Sequence, residues 1–244
     1  MSHTPIIVSA HQPNYLPWLG YFHKMTYSDV FVFLDDVQYT PKTYINRCFV
    51  RQSEQKARLS IPVSVPAWNA TICEAMINTE AFSEKHLETF RHAYGKCRAF
   101  GTVMDALQPA YQCGEVSLAS FNIRLITALA DFIGLSPKFV RQSELGITSS
   151  SNRLLIDLTH AVGGDIFVSG VGAKNYITGH EIEYRDDGVE LAYQNFIHPV
   201  YRQQKQPFIQ GCSVIDLAFN HASKAHDILT SQSSRPYMMA NLSS

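Results

Sequence analysis

The sequence predicts an α/β fold, a mainly parallel sheet flanked by helices, with an inserted β-hairpin and a helical lid or subdomain. Three observations predict it. Short, uncharged apolar runs at 6–10, 30–34 and 166–169 each stop at a polar or glycine-bearing turn, as strands buried on both faces do. Segments of helical spacing lie between them, and 138–169 reads strand, loop, helix, strand, the order of a parallel connection. The composition, 45% hydrophobic and 17% charged over 244 residues, is that of an ordinary packed chain. With no internal repeat or composition break, residues 1–230 form one domain in this reading. The small, polar, irregular stretch 231–244 is a flexible tail.

A net charge of −1 gives no bulk electrostatic reason to bind nucleic acid or anionic membrane. No apolar run approaches the roughly 20 residues of a membrane-spanning helix, and the opening MSHTPIIVSA lacks the basic segment of a secretory signal. Cys48, Cys73, Cys97, Cys113 and Cys212 are odd in number, scattered, and without metal-ligand spacing, so they read as reduced, mainly buried thiols. The expected compartment is the cytoplasm, and no metal site is expected.

The first strand, over 6–10, runs into His11, Gln12, Asn14 and Tyr15, which place an imidazole, two amides and a phenol within five residues. Pro13 and Pro17 stiffen this loop, and Trp18, Leu19, Tyr21, Phe22 and Met25 then have helical spacing. Strand, stiff polar loop and helix start form a common ligand-binding arrangement in α/β domains; a rigid turn with aromatics filling the core is the competing reading. The second strand, over 30–34, ends in Asp35 and Asp36, followed by Gln38 and Tyr39. A carboxylate there is suited to holding a substrate cation or hydroxyl, to orienting His11, or merely to capping and pairing with Arg47. Adjacent strand residues face opposite ways, so only one of the two aspartates can meet a ligand.

A hairpin is expected over 48–52 and 57–65, preceded by Tyr44, Asn46 and Arg47; the planar, permanently charged guanidinium of Arg47 suits a phosphate or carboxylate. Helices are expected over 82–94, 103–111 and 118–133, the last capped by Ser117 and stopped by Gly134. His86 on the first of these is a secondary candidate. Next come a strand over 138–142, a capped turn at 149–151, a helix over 153–162 and a strand ending at Ser169. The turn after it carries Gly170, Gly172, Lys174, Asn175 and Tyr176; Lys174 suits a phosphate, though the spacing matches neither a Walker loop nor a dinucleotide fingerprint. A strand-like stretch over 189–197 leads to His198, Tyr201, Gln203 and Gln204, and a helix over 213–220 contains Asp216. His11 and His198 are the best choices for proton transfer, because imidazole titrates nearest neutrality.

The blocks HQPNYLPWLGYFHKM (11–25), DVFVFLDDVQY (29–39), INR (45–47), LSIPV (59–63), VSGVGAKNYI (168–177) and CSVIDLAFN (212–220) resemble the WbqC-like protein family over nearly the whole chain. The resemblance implies bacterial surface-polysaccharide metabolism, such as O-antigen formation, or a related biosynthesis. In that context the expected function is a transferase moving an acyl or aminoacyl group to an amino sugar or nucleotide-linked sugar. The expected partner is therefore a small molecule, a nucleotide sugar or amino sugar. His11 or His198 takes a proton, Asp35 or Asp36 positions the acceptor, and Arg47 with Lys174 binds phosphate or the developing oxyanion. Gln12, Asn14, Tyr15, Trp18, Tyr39, Asn46, Ser169, Tyr176, Tyr201 and Gln204 complete the expected binding set. One alternative is an adenylate-forming ligase or nucleotidyltransferase, for which alone ATP and Mg²⁺ are implied. Another is a non-catalytic sugar-binding or assembly protein using Tyr15, Trp18 and Tyr39 as stacking surfaces.

Overall fold

The computed structural model describes residues 3–170, 172, 179–232 and 236–238. The central sheet contains five parallel strands: β1 (Ile7–His11), β2 (Val30–Phe33), β7 (Lys138–Arg141), β8 (Ile166–Ser169) and β9 (Glu190–Tyr193). Their spatial order is β9-β8-β1-β2-β7. Numbered by first appearance, this is 5-4-1-2-3, a doubly wound sheet whose direction of winding reverses between β1 and β8. A sixth strand, β10 (Tyr237–Met238), lies antiparallel along β9 with Tyr237 opposite Tyr193. This pairing places part of the stretch expected to be a flexible tail in the sheet.

The sheet separates two cores, and β2 shows why its apolar run is continuous. Phe31 and Phe33 enter the larger core while Val30 and Val32 enter the smaller one, as the two-residue period of a strand requires. Phe33 stacks on Phe139 of β7 at 5.4 Å; fully burying such a ring is worth about 1.5–3 kcal/mol. The larger core is covered by α1 (Leu19–Met25), α2 (Ser83–Tyr94), α3 (Phe100–Gln112) and α4 (Leu118–Ile133), with α7 (Val214–His221) and α8 (Ala225–Thr230) from the end of the chain. The smaller is covered by α5 (Ser151–Ala161) and α6 (Glu181–Asp186), through Leu154, Ile156, Leu158 and Tyr184.

Local signals set the boundaries of α4: Ser117 Oγ accepts from Ser120 N, and Gly134 closes the helix at φ 85°. Gly164 is demanded by packing instead, since a Cβ there would lie 2.2 Å from Val8 Cγ2 where β8 settles beside β1. The expected hairpin is β3 (Arg47–Gln52) with β4 (Gln55–Ser60), and Ser53 takes the positive φ of 56° that glycine usually supplies. A two-residue ladder, β5 (Val63–Ser64) with β6 (Met76–Ile77), follows. The strand expected over 189–197 stops at Tyr193, and the helix expected over 213–220 is followed by a further helix, α8. No helix among the described residues is long and apolar enough to cross a membrane.

Candidate functional site

β1 and β8 diverge beyond their carboxyl ends, and the space between them is a cavity of about 710 Å³. This is the crevice in which doubly wound sheets bind ligands. His11 and Gln12 enter from β1, Ser169, Gly170 and Gly172 from the end of β8, Gln194 and Phe196 from beyond β9, and Trp18, Tyr21 and Lys24 from the start and body of α1.

His11 is held by its neighbours. Nδ1–H donates to the Gln12 carbonyl at 3.2 Å, an oxygen that also accepts from Tyr21 Oη at 3.1 Å. The ring meets Tyr21 at 4.7 Å and the edge of Trp18 at 5.6 Å. Nε2 consequently carries the lone pair, and it has no hydrogen-bond partner among the described residues. Burial, followed by the nearby Lys24 charge, depresses the His11 pKa to about 3, against the opposing pull of the Gln12 carbonyl.

Lys24 is 3% exposed although it lines the cavity. Nζ donates to the Ala10 carbonyl at 2.7 Å and lies 5.9 Å from the Phe31 ring centroid. Burial lowers its pKa to about 7, so ammonium and amine coexist near neutrality. Behind it Gln194 ties β9 to α1: its Nε2 donates to the Gly20 carbonyl at 2.8 Å and to His23 Nδ1 at 2.9 Å. His23 directs its other nitrogen to Tyr27 Oη at 2.9 Å, and burial lowers its pKa to about 4.

The structure distributes the other sequence candidates elsewhere. Of the expected set, His11, Gln12, Trp18 and Ser169 line this cavity. Lys174 and Tyr176 lie outside the described residues. Tyr15 turns into the core, its hydroxyl 2.8 Å from His86 Nδ1 and 2.6 Å from Tyr111 Oη, and Asn14 is buried beside it in sequence with an unpartnered Oδ1. Asp35 is fully buried; rather than pairing with Arg47, it accepts from Arg141 Nε at 2.7 Å and from Ser143 N and Oγ at 2.9 and 2.8 Å. Asp36 is exposed near Cys73. Tyr39, Asn46 and Arg47 line a separate groove. His198 commits both nitrogens to backbone, Nδ1–H donating to the Pro199 carbonyl at 2.9 Å and Nε2 accepting from Gly211 N at 3.4 Å. Tyr201 donates to Asp216 Oδ2 at 2.9 Å, and Gln204 lies at the surface with Lys96 and Lys205. Among the described residues, no three His, Cys, Asp or Glu side chains are grouped to hold a metal ion.

The cavity residues that pattern reading misses include Tyr21, Lys24, Gln194 and Phe196. A signal for Lys24 was present: it is the sole formally charged side chain in residues 11–25, and the helix carrying it is buried throughout.

The chain is 27% identical over 223 residues to the uncharacterized protein Rv1507c of Mycobacterium tuberculosis, an alignment spanning 89% of this chain and 95% of the relative. The family model matches residues 12–228, from the cavity loop after β1 to α8, and by that match the chain belongs to the WbqC-like protein family.

Proposed function

We propose that the protein is a group-transfer enzyme that binds a nucleotide-linked sugar in the cavity between β1 and β8. It moves an acyl or aminoacyl group to an amine or hydroxyl of an amino-sugar substrate. One observation carries this reading: the unpartnered Nε2 of His11 and the buried Nζ of Lys24 share a single cavity at the reversal point of the sheet.

In this mechanism His11 Nε2 accepts the proton of the attacking N–H or O–H as the acceptor atom bonds to the acyl carbon. Lys24, anchored on the Ala10 carbonyl, donates from its ammonium form to the carbonyl oxygen as it gains negative charge. The tetrahedral centre then collapses, the bond to the leaving group breaks, and His11 returns the proton to that group. Burial is the larger cause of the depressed His11 basicity and the Lys24 charge the smaller; an anion paired with Lys24 offsets the second and so strengthens the base in part.

The decisive experiment incubates the protein with a UDP-amino sugar and acetyl-coenzyme A or an aminoacyl adenylate, following the acylated sugar by mass spectrometry. His11→Asn retains an amide N–H for the Gln12 carbonyl and removes the Nε2 lone pair. Product formation that collapses in this variant supports the assignment, whereas turnover unchanged by His11→Asn sinks it. In parallel calorimetry, the nucleotide sugar should take up protons near pH 7 as its phosphates draw Lys24 into the ammonium form. Heat that appears only with Mg-ATP would instead favour the ligase reading.

A further inference from the structure

A second groove, of about 550 Å³, lies beside the cavity without sharing a lining residue with it. A single residue, Gln38, separates Val37 of the cavity from Tyr39 of the groove. The Trp18 ring of the cavity also packs on Tyr44 at 5.1 Å, and Tyr44 lies in sequence between the groove residues Lys42 and Asn46. The two spaces are therefore joined by one short stretch of chain and one ring contact.

The chemistry of the groove is specific. Asn46 is 9% exposed and donates Nδ2–H to the Ile61 carbonyl at 3.0 Å, while its Oδ1 is buried without a partner. Arg47 donates from Nη1 to the Lys42 carbonyl at 3.2 Å, and its Nε is likewise buried and unpartnered. A buried acceptor and a buried cationic donor left unmatched side by side cost stability unless something else completes them. Lys42 adds a second cation, and no carboxylate lines the groove among the described residues.

Over this polar floor stands Trp68, 86% exposed. Its loop is not a loose tip. The Trp68 carbonyl accepts from Gln38 Nε2 at 3.3 Å, Ala70 N donates to the Ala67 carbonyl at 3.2 Å, and Tyr39 N donates to the Ala70 carbonyl at 2.9 Å. A large ring on an anchored stretch of backbone, open to water beside hydrogen-bonding groups, suits a ligand with one apolar face and many hydroxyls.

We infer that this groove binds a saccharide bearing a carboxylate or phosphate, with its ring against Trp68, its hydroxyls on Asn46 and its anionic group on Arg47 and Lys42. This deepens, and rests on, the transferase reading: the cavity takes the nucleotide-linked substrate and the groove takes the partner saccharide.

The test is calorimetric titration of the full chain with glucuronate, glucose 1-phosphate and glucose, against wild type, Trp68→Ala, Arg47→Gln and His11→Asn. Trp68→Ala removes an exposed side chain and leaves the fold intact, so its result stands even if Arg47→Gln is poorly folded. Saturable binding of the two anionic sugars, weaker for glucose, about ten-fold weaker in Trp68→Ala and unchanged in His11→Asn, supports the assignment. No saturable binding of either anionic sugar, or binding indifferent to Trp68→Ala, overturns it. A separate titration with UDP-N-acetylglucosamine keeps the two readings apart. Its loss of binding in His11→Asn but not in Trp68→Ala belongs to the cavity, and its failure to bind at all removes the cavity reading while leaving the groove result as measured.

Discussion

Two kinds of buried ionisable group sit in this protein, and they differ in what surrounds them. Asp35 accepts three hydrogen bonds, from Arg141 and twice from Ser143. Asp216 likewise accepts from Tyr94 Oη at 3.0 Å, Tyr201 Oη at 2.9 Å and Gln203 Nε2 at 2.8 Å, while Arg51 clamps Gln203 from behind. Each carboxylate is saturated by donors, although Asp216 also borders a surface pocket with Tyr94 and Asn220, so each fastens one part of the chain to another. Lys24 is buried too and His11 half-buried, yet Lys24 makes one hydrogen bond and His11 keeps a bare nitrogen, and both border a cavity. Burial alone does not mark a reactive group. Burial with unspent valence facing a void does.

That contrast breaks first at His11. His11→Asn is expected to lower turnover by about 10²–10⁴-fold, the usual share of a general base, with an unchanged melting temperature. An equal loss of folded protein would instead place His11 with the fastening groups. Lys24 gives the next largest effect. It is protonated up to its ordinary 10.5 in the unfolded chain but only to about 7 when folded, so the unfolded chain binds the extra proton between those values. Stability therefore climbs from pH 7 to 10.5 and is lost as pH falls to about 7, a range worth on the order of 5 kcal/mol at roughly 1.36 kcal/mol per tenfold in proton affinity. Lys24→Met should flatten that slope and melt higher than wild type at pH 6, the two converging near pH 10.5; parallel melting curves across this range would contradict the buried ammonium.

Asp35→Ala strands the part-exposed Arg141 guanidinium and leaves Ser143 N and Oγ without their acceptor, and should cost about 1–3 kcal/mol in chemical denaturation, while the folded fraction binds nucleotide sugar as before. Lost binding at full stability would move Asp35 into the site after all. The smallest effect sharpens the cavity itself. A Cβ at Gly170 would stand 3.8 Å from Gln194 Oε1 and 4.0 Å from Lys24 Nζ, ordinary contact distances, so Gly170→Ala should change stability by less than about 0.5 kcal/mol. It nonetheless takes ligand space, and the nucleotide-sugar Kd should rise.

The sequence made elements legible wherever a local rule decides them. The helix over 118–133 and the strand over 166–169 were read to the residue, because cap, stop and apolar run lie in the same few positions. The parallel arrangement followed from continuous apolar strands such as Val30–Phe33. The cavity was half legible. His11, Gln12, Trp18 and Ser169 are local to strand ends, whereas Lys24 owes its role to the Ala10 carbonyl beside it and Gln194 to the α1 carbonyl it reaches from 174 positions away. Tyr15 resembled a ligand contact in sequence, but Leu16 at φ 41° lies in the bend of the loop and the phenol goes to His86 and Tyr111 instead. Spacing carries no information about which of two spaces a side chain enters, so Tyr39 and Arg47 were grouped with His11 although they line a different groove.

The short strand β10 has a consequence beyond completing the sheet. Tyr237–Met238 occupies the outer edge of β9, where Glu190–Tyr193 would otherwise offer backbone donors and acceptors to any passing chain. The opposite edge, β7, begins with the exposed Lys138, a charge that discourages a neighbouring strand. Tyr237–Met238 thus covers this edge, and a chain ended at residue 230 should add its exposed edge to that of a second copy, appearing in light scattering before any loss of helix.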